Sequence, residues 1–531
     1  MNNKNNKWFY IITLIVVAMT ATSCLNDLNV VPINPQVTQT FNQDEVFAKT
    51  YASFGLTGQQ GPAGNNDIDI TDEGRFSLTR CLWNINELPT DEAICAWGDA
   101  EVVELNSDSW PSSNLAGEGL YARLYFVVTI SNHFLQQTAG MTDDKTVKQR
   151  AEVRFLRALG YFYLMDIFGN VPFTEVISDQ LPIQMKRADL FSYIEKELTA
   201  IEPDMYDPRT APYYRLDKAA NWLLKSRLYL NAEVYTGTAH WDDAITYSKK
   251  VMDSSYKLNP SYKQLFMGDN AGSAVDGSSN TAPQEIIFPI AADGIKTNGY
   301  GGSLFLIAST HTGDGSMPNW GSTAGWGGNR ARAALVNKFF PAGNVPTAAD
   351  LTTAAGDDRA MLLSTSRTVA ITKVTDFTKG LSVTKYSNVR FDGGATHDPQ
   401  FSDMDIPFMR VAEAYLTYAE ANLRSTSGTT ANALTAINAV RARAHAVALT
   451  SITKDLNGLN QVLDEWSREF FFEGRRRMDL IRYGYFGGSD YNWDWKGGTA
   501  AGTQFDKHLN VMPIPPGDLN ANSKLVQNPG Y

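Results

Sequence analysis

The sequence is poor in cysteine and lacks the short motifs that mark common catalytic sites. Its 531 residues contain only Cys24, Cys81 and Cys95, too few for a disulfide framework. No GxSxG elbow, phosphate-binding loop, dinucleotide fingerprint or HExxH pair occurs, and the six histidines are scattered. Nothing therefore points to a serine hydrolase, a nucleotide-dependent enzyme or a zinc enzyme, and we predict no catalytic residues, no cofactor and no metal site.

Long apolar runs and an excess of basic residues are also missing. No segment after residue 24 has eighteen consecutive apolar residues, so no later part is predicted to cross a bilayer. The formal net charge is −11, and an acidic surface repels phosphate backbones. With 43% hydrophobic and 19% charged residues the composition is that of a globular protein, and nucleic acid is not an expected partner.

What the chain does have is a secretion signal at its start. Lys4 and Lys7 precede a short apolar run, residues 11–19, and small residues then lead directly into Cys24. This pattern resembles a bacterial lipoprotein cleavage box, so we predict a signal peptide at 1–23 and acylation of Cys24. The competing interpretation is an ordinary signal peptide cut near Ser23. Residues 24–40 are predicted to be the lipid anchor and an extended tether, which would hold the protein on a membrane.

Helical periodicity dominates two parts of the remaining chain, about 119–252 and 409–480. Within the first, Leu120, Leu124 and Val127 fall on one apolar stripe. Paired helices with small residues at their crossings predict a mainly α fold, a tetratricopeptide-like helical-repeat scaffold. Residues 57–114 are rich in Gly, Asp, Asn and Trp, and residues 270–400 in Gly, Ser, Thr and Asn, so we predict long ligand-face loops with minor β structure. We expect residues 41–531 to form a single domain.

Several longer stretches carry a family resemblance. They are NELPTDE at 86–92, RAEVRFLRALGYFYLMDIFGNVP at 150–172, RVAEAYLTYAEAN at 410–422, EWSREFFFEGRRRMDLIRY at 465–483 and the ending QNPGY at 527–531. In this order they resemble the SusD/RagB family, surface glycan-binding lipoproteins of Bacteroidetes polysaccharide uptake. Residues 217–237 resemble its starch-binding branch. The resemblance implies a non-catalytic protein in the outer membrane. It would capture starch or another α-glucan as malto-oligosaccharide and deliver it to a SusC-like TonB-dependent transporter.

A sugar-binding site needs aromatic planes for the ring faces and polar groups for the hydroxyls. Two loop regions supply both, and the candidate ligand-binding residues are Asp72, Arg80, Trp97, Asp99, Asn298, Tyr300, Trp320 and Trp326. The resemblance places Asp72, Arg80, Tyr300 and Trp326 at positions of the branch's shallow aromatic arc and its polar contacts.

The match to that arc is incomplete. The resemblance puts an arc tryptophan of the branch at Cys95 and a nearby asparagine at about Ala100. Trp97 is a candidate substitute for the missing plane, and Trp320 a candidate additional one. The competing interpretation is that these aromatics only pack loop cores.

The cysteines, the loop acids and the glycan each allow more than one interpretation. Cys81 and Cys95 are either bridged or, as we favour, two buried free thiols. Asp269, Asp276 and Glu285 form either a structural calcium site or, more simply, solvated loop acids. The glycan could instead be levan or mannan, and the competing functional classes are a surface glycoside hydrolase and a protein-interaction scaffold.

Overall fold

The computed structural model describes residues 41–59, 61–62, 66–70, 72, 74–313 and 317–531. The predicted signal peptide, the acylated Cys24 and the tether lie outside the described residues. The chain divides into residues 1–43, of which only 41–43 are described, and a compact unit of residues 44–531.

Helices make up most of the regular structure, as the periodicity predicted. They begin with α1 (Gln43–Gly55), α2 (Leu78–Glu87), α3 (Ala100–Asn106), α4 (Leu115–Gln137), α5 (Asp144–Phe168), α6 (Arg187–Ile201), α7 (Lys218–Leu230), α8 (Ala232–Thr236) and α9 (Trp241–Met252). They continue with α10 (Ser303–Ala308), α11 (Ala333–Phe339), α12 (Thr352–Ala355), α13 (Ala412–Arg424), α14 (Thr430–Arg443), α15 (Leu456–Phe470), α16 (Arg476–Arg482) and α17 (Pro516–Ala521).

Neighbouring helices pack in pairs and the pairs stack on one another. Helix α4 packs on α5 and α5 on α6, while α9 packs on α7 and on α13, which in turn contacts α14. Asp217 caps α7 by accepting from two backbone N–H groups, as predicted, and Gly169 ends α5 at a φ of 71°. The expected helical-repeat scaffold is confirmed. In the part of the chain that the structure describes, no helix has the length and apolarity of a membrane span.

The β structure is minor. The described residues contain four two-stranded antiparallel sheets. The strands are β1 (Ala93–Cys95), β2 (Val171–Phe173), β3 (Ile183–Met185), β4 (Ile286–Ile290), β5 (Asn329–Ala331), β6 (Leu362–Leu363), β7 (Ser382–Val383) and β8 (Ile406–Arg410), paired β1–β5, β2–β3, β4–β8 and β6–β7.

The predicted loop region 57–114 contains more regular structure than its sequence suggested. Helices α2 and α3 and strand β1 all lie within it. Helix α2 buries nine of its ten residues, and these include the polar Asn84, Asn86 and Glu87. It therefore lacks the solvated polar face by which a surface helix is recognised in a sequence.

The stretches that carry the family resemblance meet in the interior, where buried charges are paired. Arg476 donates to both carboxylate oxygens of Asp91, at 2.7 and 2.8 Å, and Lys338 lies 3.2 Å from the same carboxylate. Burial alone would raise the pKa of Asp91, but Arg476 and Lys338 outweigh it and hold that pKa well below its ordinary value. These motifs therefore build the scaffold.

Candidate loop-face glycan site

Strands β1 and β5 bring the two predicted loop regions together. Cys95 pairs with Asn329, and the ladder continues as the N–H of Ala96 donates to the carbonyl of Gly328 at 2.9 Å. Trp97 follows at once and lies against Gly328, where an added Cβ would come within 2.3 Å of the indole nitrogen. Gly328 also has a φ of 103°, so a glycine is required for Trp97 to occupy this place.

Arg80 projects from the first turn of α2 beside Trp97. The helix is capped by Ser77, which accepts from the N–H of Arg80 at 3.2 Å and donates to the carbonyl of Gly301 at 2.7 Å. The guanidinium carbon of Arg80 lies 5.1 Å from the ring centre of Trp97 and 5.0 Å from that of Phe305. The Ser77 cap thus ties Arg80 to the loop that carries Tyr300.

No acid among the described residues forms an ion pair with the guanidinium of Arg80. Its Nε is buried and has no hydrogen-bond partner, and no described carboxylate lies within ion-pair distance of the group. Burial lowers the pKa of Arg80. A half-buried cation with unused N–H donors, held between aromatic rings, is suited to bind a ligand that brings acceptor oxygens.

Arg75 contacts both Asp72 and Asp99. Asp72 is exposed and accepts from the backbone N–H of Arg75 at 2.9 Å, while the Arg75 side chain lies 3.1 Å from Asp99 and donates twice to Glu101 at 2.6 Å. Asp99 is therefore engaged in an ion pair, and Asp72 keeps an oxygen open to solvent.

Tyr300 and Trp326 share an apolar base. Both rings are partly exposed and pack on Leu304, Ala308 and Ala324, together with Phe401. The backbone N–H of Trp326 donates to the carbonyl of Ala308 at 2.8 Å, at the end of α10. An added Cβ at Gly74 would come within 2.7 Å of the Tyr300 side chain, so the Tyr300 loop touches the segment that carries Asp72.

Two of the predicted ligand-binding residues, Asn298 and Trp320, do not join the other six. The Asn298 amide donates to the carbonyls of Gly294 and Ile295, at 3.2 and 3.0 Å, and so stabilises its own turn; its Oδ1 is buried without a partner. Trp320 lines a separate cleft of about 350 Å³, whose lining includes none of the other predicted site residues. The six that the geometry brings together, Asp72, Arg80, Trp97, Asp99, Tyr300 and Trp326, are called the loop-face site below.

Cys95 cannot provide a binding surface in this structure. Its side chain is fully buried, and Asn106 binds both its N–H and its carbonyl, at 3.0 and 2.8 Å. Cys81 and Cys95 are free thiols, as we favoured, and burial raises the pKa of each to about 12.

Two of the three acids considered for a calcium site are engaged by protein groups, whereas Asp276 has a buried Oδ2 with no hydrogen-bond partner among the described residues. Glu285 accepts from Arg410 and Arg443, at 3.0 and 2.7 Å, and Asp269 accepts from Ser278 and from two backbone N–H groups. Within the described ranges no three His, Cys, Asp or Glu side chains are grouped to hold a metal.

Sequence reasoning missed the phenylalanines behind the site. Phe305 backs Arg80 and Trp97, and Phe401 lies 5.4 Å from Tyr300 between ring centres. Phe305 sits in the short apolar helix α10, so nothing in its sequence context distinguishes it from an ordinary core residue.

Comparison with known proteins agrees with this architecture. The SusD family model matches residues 363–531. The chain is 44% identical over 566 aligned residues to the starch-binding protein SusD of Bacteroides thetaiotaomicron, with 100% of both chains covered. It is 23% identical to the SusD-like protein P25 of Formosa agariphila, covering 88% of this chain and 87% of the relative. The protein belongs to the SusD family.

Solved structures confirm the fold. A SusD homolog from Bacteroides thetaiotaomicron superposes with a TM-score of 0.68 at 20% identity, covering 92% of this chain and 96% of the other. Surface glycan-binding protein A from Bacteroides uniformis gives 0.67 at 20% identity, covering 92% and 98%.

Proposed function

We propose that the protein is a non-catalytic binder of starch-type α-glucan whose contact surface is the loop-face site. The observation that carries the proposal is the guanidinium of Arg80, which has no ion-pair partner among the described residues, beside the half-exposed ring of Trp97, with Tyr300 and Trp326 on a shared base. The full-length similarity to a protein named for starch binding supports the choice of glycan.

Each group has a role in this proposal. The rings of Trp97, Tyr300 and Trp326 receive the apolar faces of successive glucose units. Arg80 donates to sugar oxygens, and the open oxygen of Asp72 accepts from hydroxyls. Because these rings are partly exposed rather than enclosed, one oligosaccharide binds weakly, and a polymer gains affinity by reaching many copies of the site.

The arrangement of the acids in the loop-face site is consistent with glycan binding without hydrolysis. A glycosidase holds two carboxyl groups across the scissile bond. Here Asp99 and Glu101 are both engaged by Arg75, and of the described acids of the loop-face site Asp72 is the one left open to solvent. We assign no bond-breaking step to this surface.

The proposal also includes where the protein is located and which transporter it serves. We place the protein on the outer membrane, facing outward and held by acylated Cys24, where it delivers oligosaccharide to a SusC-like TonB-dependent transporter. The lipoprotein box at 21–24 and family membership support this placement. Expression of a Cys24→Ala variant tests the anchor, because it should move the protein from the membrane to the soluble fraction.

Isothermal titration tests the binding function. The chain without its first 24 residues would be titrated with linear and cyclic malto-oligosaccharides, pullulan, levan and mannan. We expect heat only with the α-glucans, reduced in Trp326→Ala. The matched control is Trp241→Ala, a half-buried tryptophan on the helical scaffold with Arg424 5.1 Å from its ring. Binding to levan or mannan instead would refute the starch assignment. The absence of a heat signal with every glycan would refute glycan capture.

A further inference from the structure

We propose that the cleft bounded by Trp320 and His311 is a second saccharide-binding site, separate from the loop-face site. The inference rests on the proposed function, because it takes the same class of ligand. The cleft encloses about 350 Å³, within the range of small-ligand pockets. Besides Trp320 and His311, its lining includes Lys263, Asp350 and Thr384.

The aromatic wall is held in place. The Trp320 indole N–H donates to the carbonyl of Ala324 at 2.9 Å, and the His311 ring lies against Trp320 with 5.0 Å between centres and 37° between planes. Trp320 remains partly exposed although it packs on the core. A fixed, half-open indole offers a plane to the apolar face of a sugar.

His311 supplies a hydrogen-bond acceptor. Its Nδ1 lies 2.8 Å from the carbonyl of Ile307, and because a carbonyl only accepts, Nδ1 carries the proton. Burial lowers the pKa of His311 to about 4, so the ring is neutral at pH 7 and Nε2 keeps its lone pair. No described residue donates to that nitrogen, and His311, although only 2% exposed, forms part of the cleft lining.

Other residues of the cleft lining supply donors and further acceptors. Lys263 is exposed and forms no ion pair with any residue of the described ranges. The hydroxyl of Thr384 likewise has no hydrogen-bond partner there, and Asp350 uses one carboxylate oxygen to bind Thr352, leaving the other open. One lysine, the two acids Asp350 and Asp358, several hydroxyls and a neutral imidazole around an indole suit a neutral polyhydroxylated ligand better than a phosphate, which requires several cations.

Two sites on one chain would alter polymer capture. An α-glucan long enough to reach both would bind the second without a new encounter, so its apparent affinity would exceed that of a short oligosaccharide at either site.

Histidine NMR of the full-length protein in detergent tests the inference. The protein, labelled with ¹⁵N at its six histidines, would be titrated with maltotriose as the wild type and as a Trp97→Ala/Trp326→Ala double variant. The His311 signal is assigned by its loss in His311→Gln. We expect maltotriose to move the His311 Nε2 resonance in both proteins. Adding Lys263→Met to the double variant should weaken its maltotriose binding about three- to tenfold.

The control is Lys373→Met, an exposed lysine outside the cleft, which should leave the affinity unchanged. Trp320→Ala should abolish the His311 shift, with thermal unfolding measured to verify its fold. If maltotriose binds the wild type but not the double variant, and the His311 Nε2 resonance does not move, the second site alone is overturned. A wild type that binds no α-glucan would overturn the proposed function as well.

Discussion

Arg476 and Arg80 both carry a guanidinium that is at least partly buried, but they differ in whether an acid pairs with it. Arg476 is 1% exposed and donates two hydrogen bonds to Asp91. Arg80 is half-buried between Trp97 and Phe305 with no described acid beside it. A buried pair is costly to break, whereas an unpaired cation is costly to keep. The charge of Arg476 is thus neutralised within the scaffold, whereas no described acid neutralises that of Arg80, which stays available to a ligand.

The same contrast extends beyond these two residues. In the scaffold, Arg410 lies 3.0 Å from Glu285 and 2.7 Å from Glu473, and it also contacts Glu469. Arg482 donates to both oxygens of Glu420, at 2.7 and 2.9 Å. These charges join segments far apart in sequence, so they specify the fold and leave glycan chemistry to the loops.

The largest expected effect is on scaffold stability. Arg476→Met leaves Asp91 buried with Lys338 as the cation still beside it, so we expect the free energy of unfolding to fall by about 3–5 kcal/mol, measured by urea denaturation. The matched variant Arg80→Met removes a cation without stranding an acid and should change that energy by less than about 1 kcal/mol. Equal losses in the two variants would erase the distinction between the regions.

Acid should weaken the scaffold through its paired carboxylates. Burial raises the pKa of Glu420, but Arg482 and Arg424 outweigh it and bring that pKa to about 2. Because the folded-state pKa lies below the unfolded one, this stabilisation is complete above about pH 4.5 and is lost as the pH falls toward 2. We expect a loss on the order of 3 kcal/mol between pH 5 and 2 from this group alone. Glu420→Gln should flatten that slope in urea titrations, and an unchanged slope would contradict the pairing.

On the loop face the expected effect is on affinity. Arg80→Met should weaken binding of linear malto-oligosaccharide about ten- to a hundredfold, because a charged donor contributes about 1.5–3 kcal/mol. Titration calorimetry measures the change, and Arg80→Lys should recover part of it. An Arg80→Met protein that binds as tightly as the wild type would remove Arg80 from the site.

A smaller change is expected for a single aromatic plane. Trp97→Ala should reduce α-glucan affinity about three- to tenfold, because an aromatic stack contributes about 0.5–1.5 kcal/mol. Trp241→Ala, on the scaffold, should leave the affinity as it is. A loss in both variants would indicate a general effect of removing tryptophan rather than a glycan contact.

The smallest expected signal is thiol reactivity in the native state. With the first 24 residues removed, Cys81 and Cys95 remain, both buried and free. Ellman's reagent should detect no thiol in the folded protein and both after unfolding in urea. Rapid labelling of the native protein would show that Cys95 reaches the surface after all.

Periodicity and short motifs made the helical scaffold predictable from the sequence. The amphipathic stripes of α4 and α5 and the Asp217 cap were readable because each is a local pattern. Helix α2 was missed, because it is short and buries its polar residues together with its apolar ones.

For the site, the sequence supplied residue types but not their grouping. The β1–β5 ladder pairs two distant segments and places Trp97 beside Arg80, whereas Trp320 lines another cleft. The backing by Phe305 is equally a matter of tertiary packing. No local pattern carries that information.

A crystal structure with bound maltoheptaose tests most directly whether the loop-face site captures α-glucan. We expect glucose rings against Trp97, Tyr300 and Trp326, with sugar oxygens within hydrogen-bond distance of the Arg80 guanidinium. Oligosaccharide bound elsewhere on the chain, with the Arg80 donors still unused, would contradict this assignment.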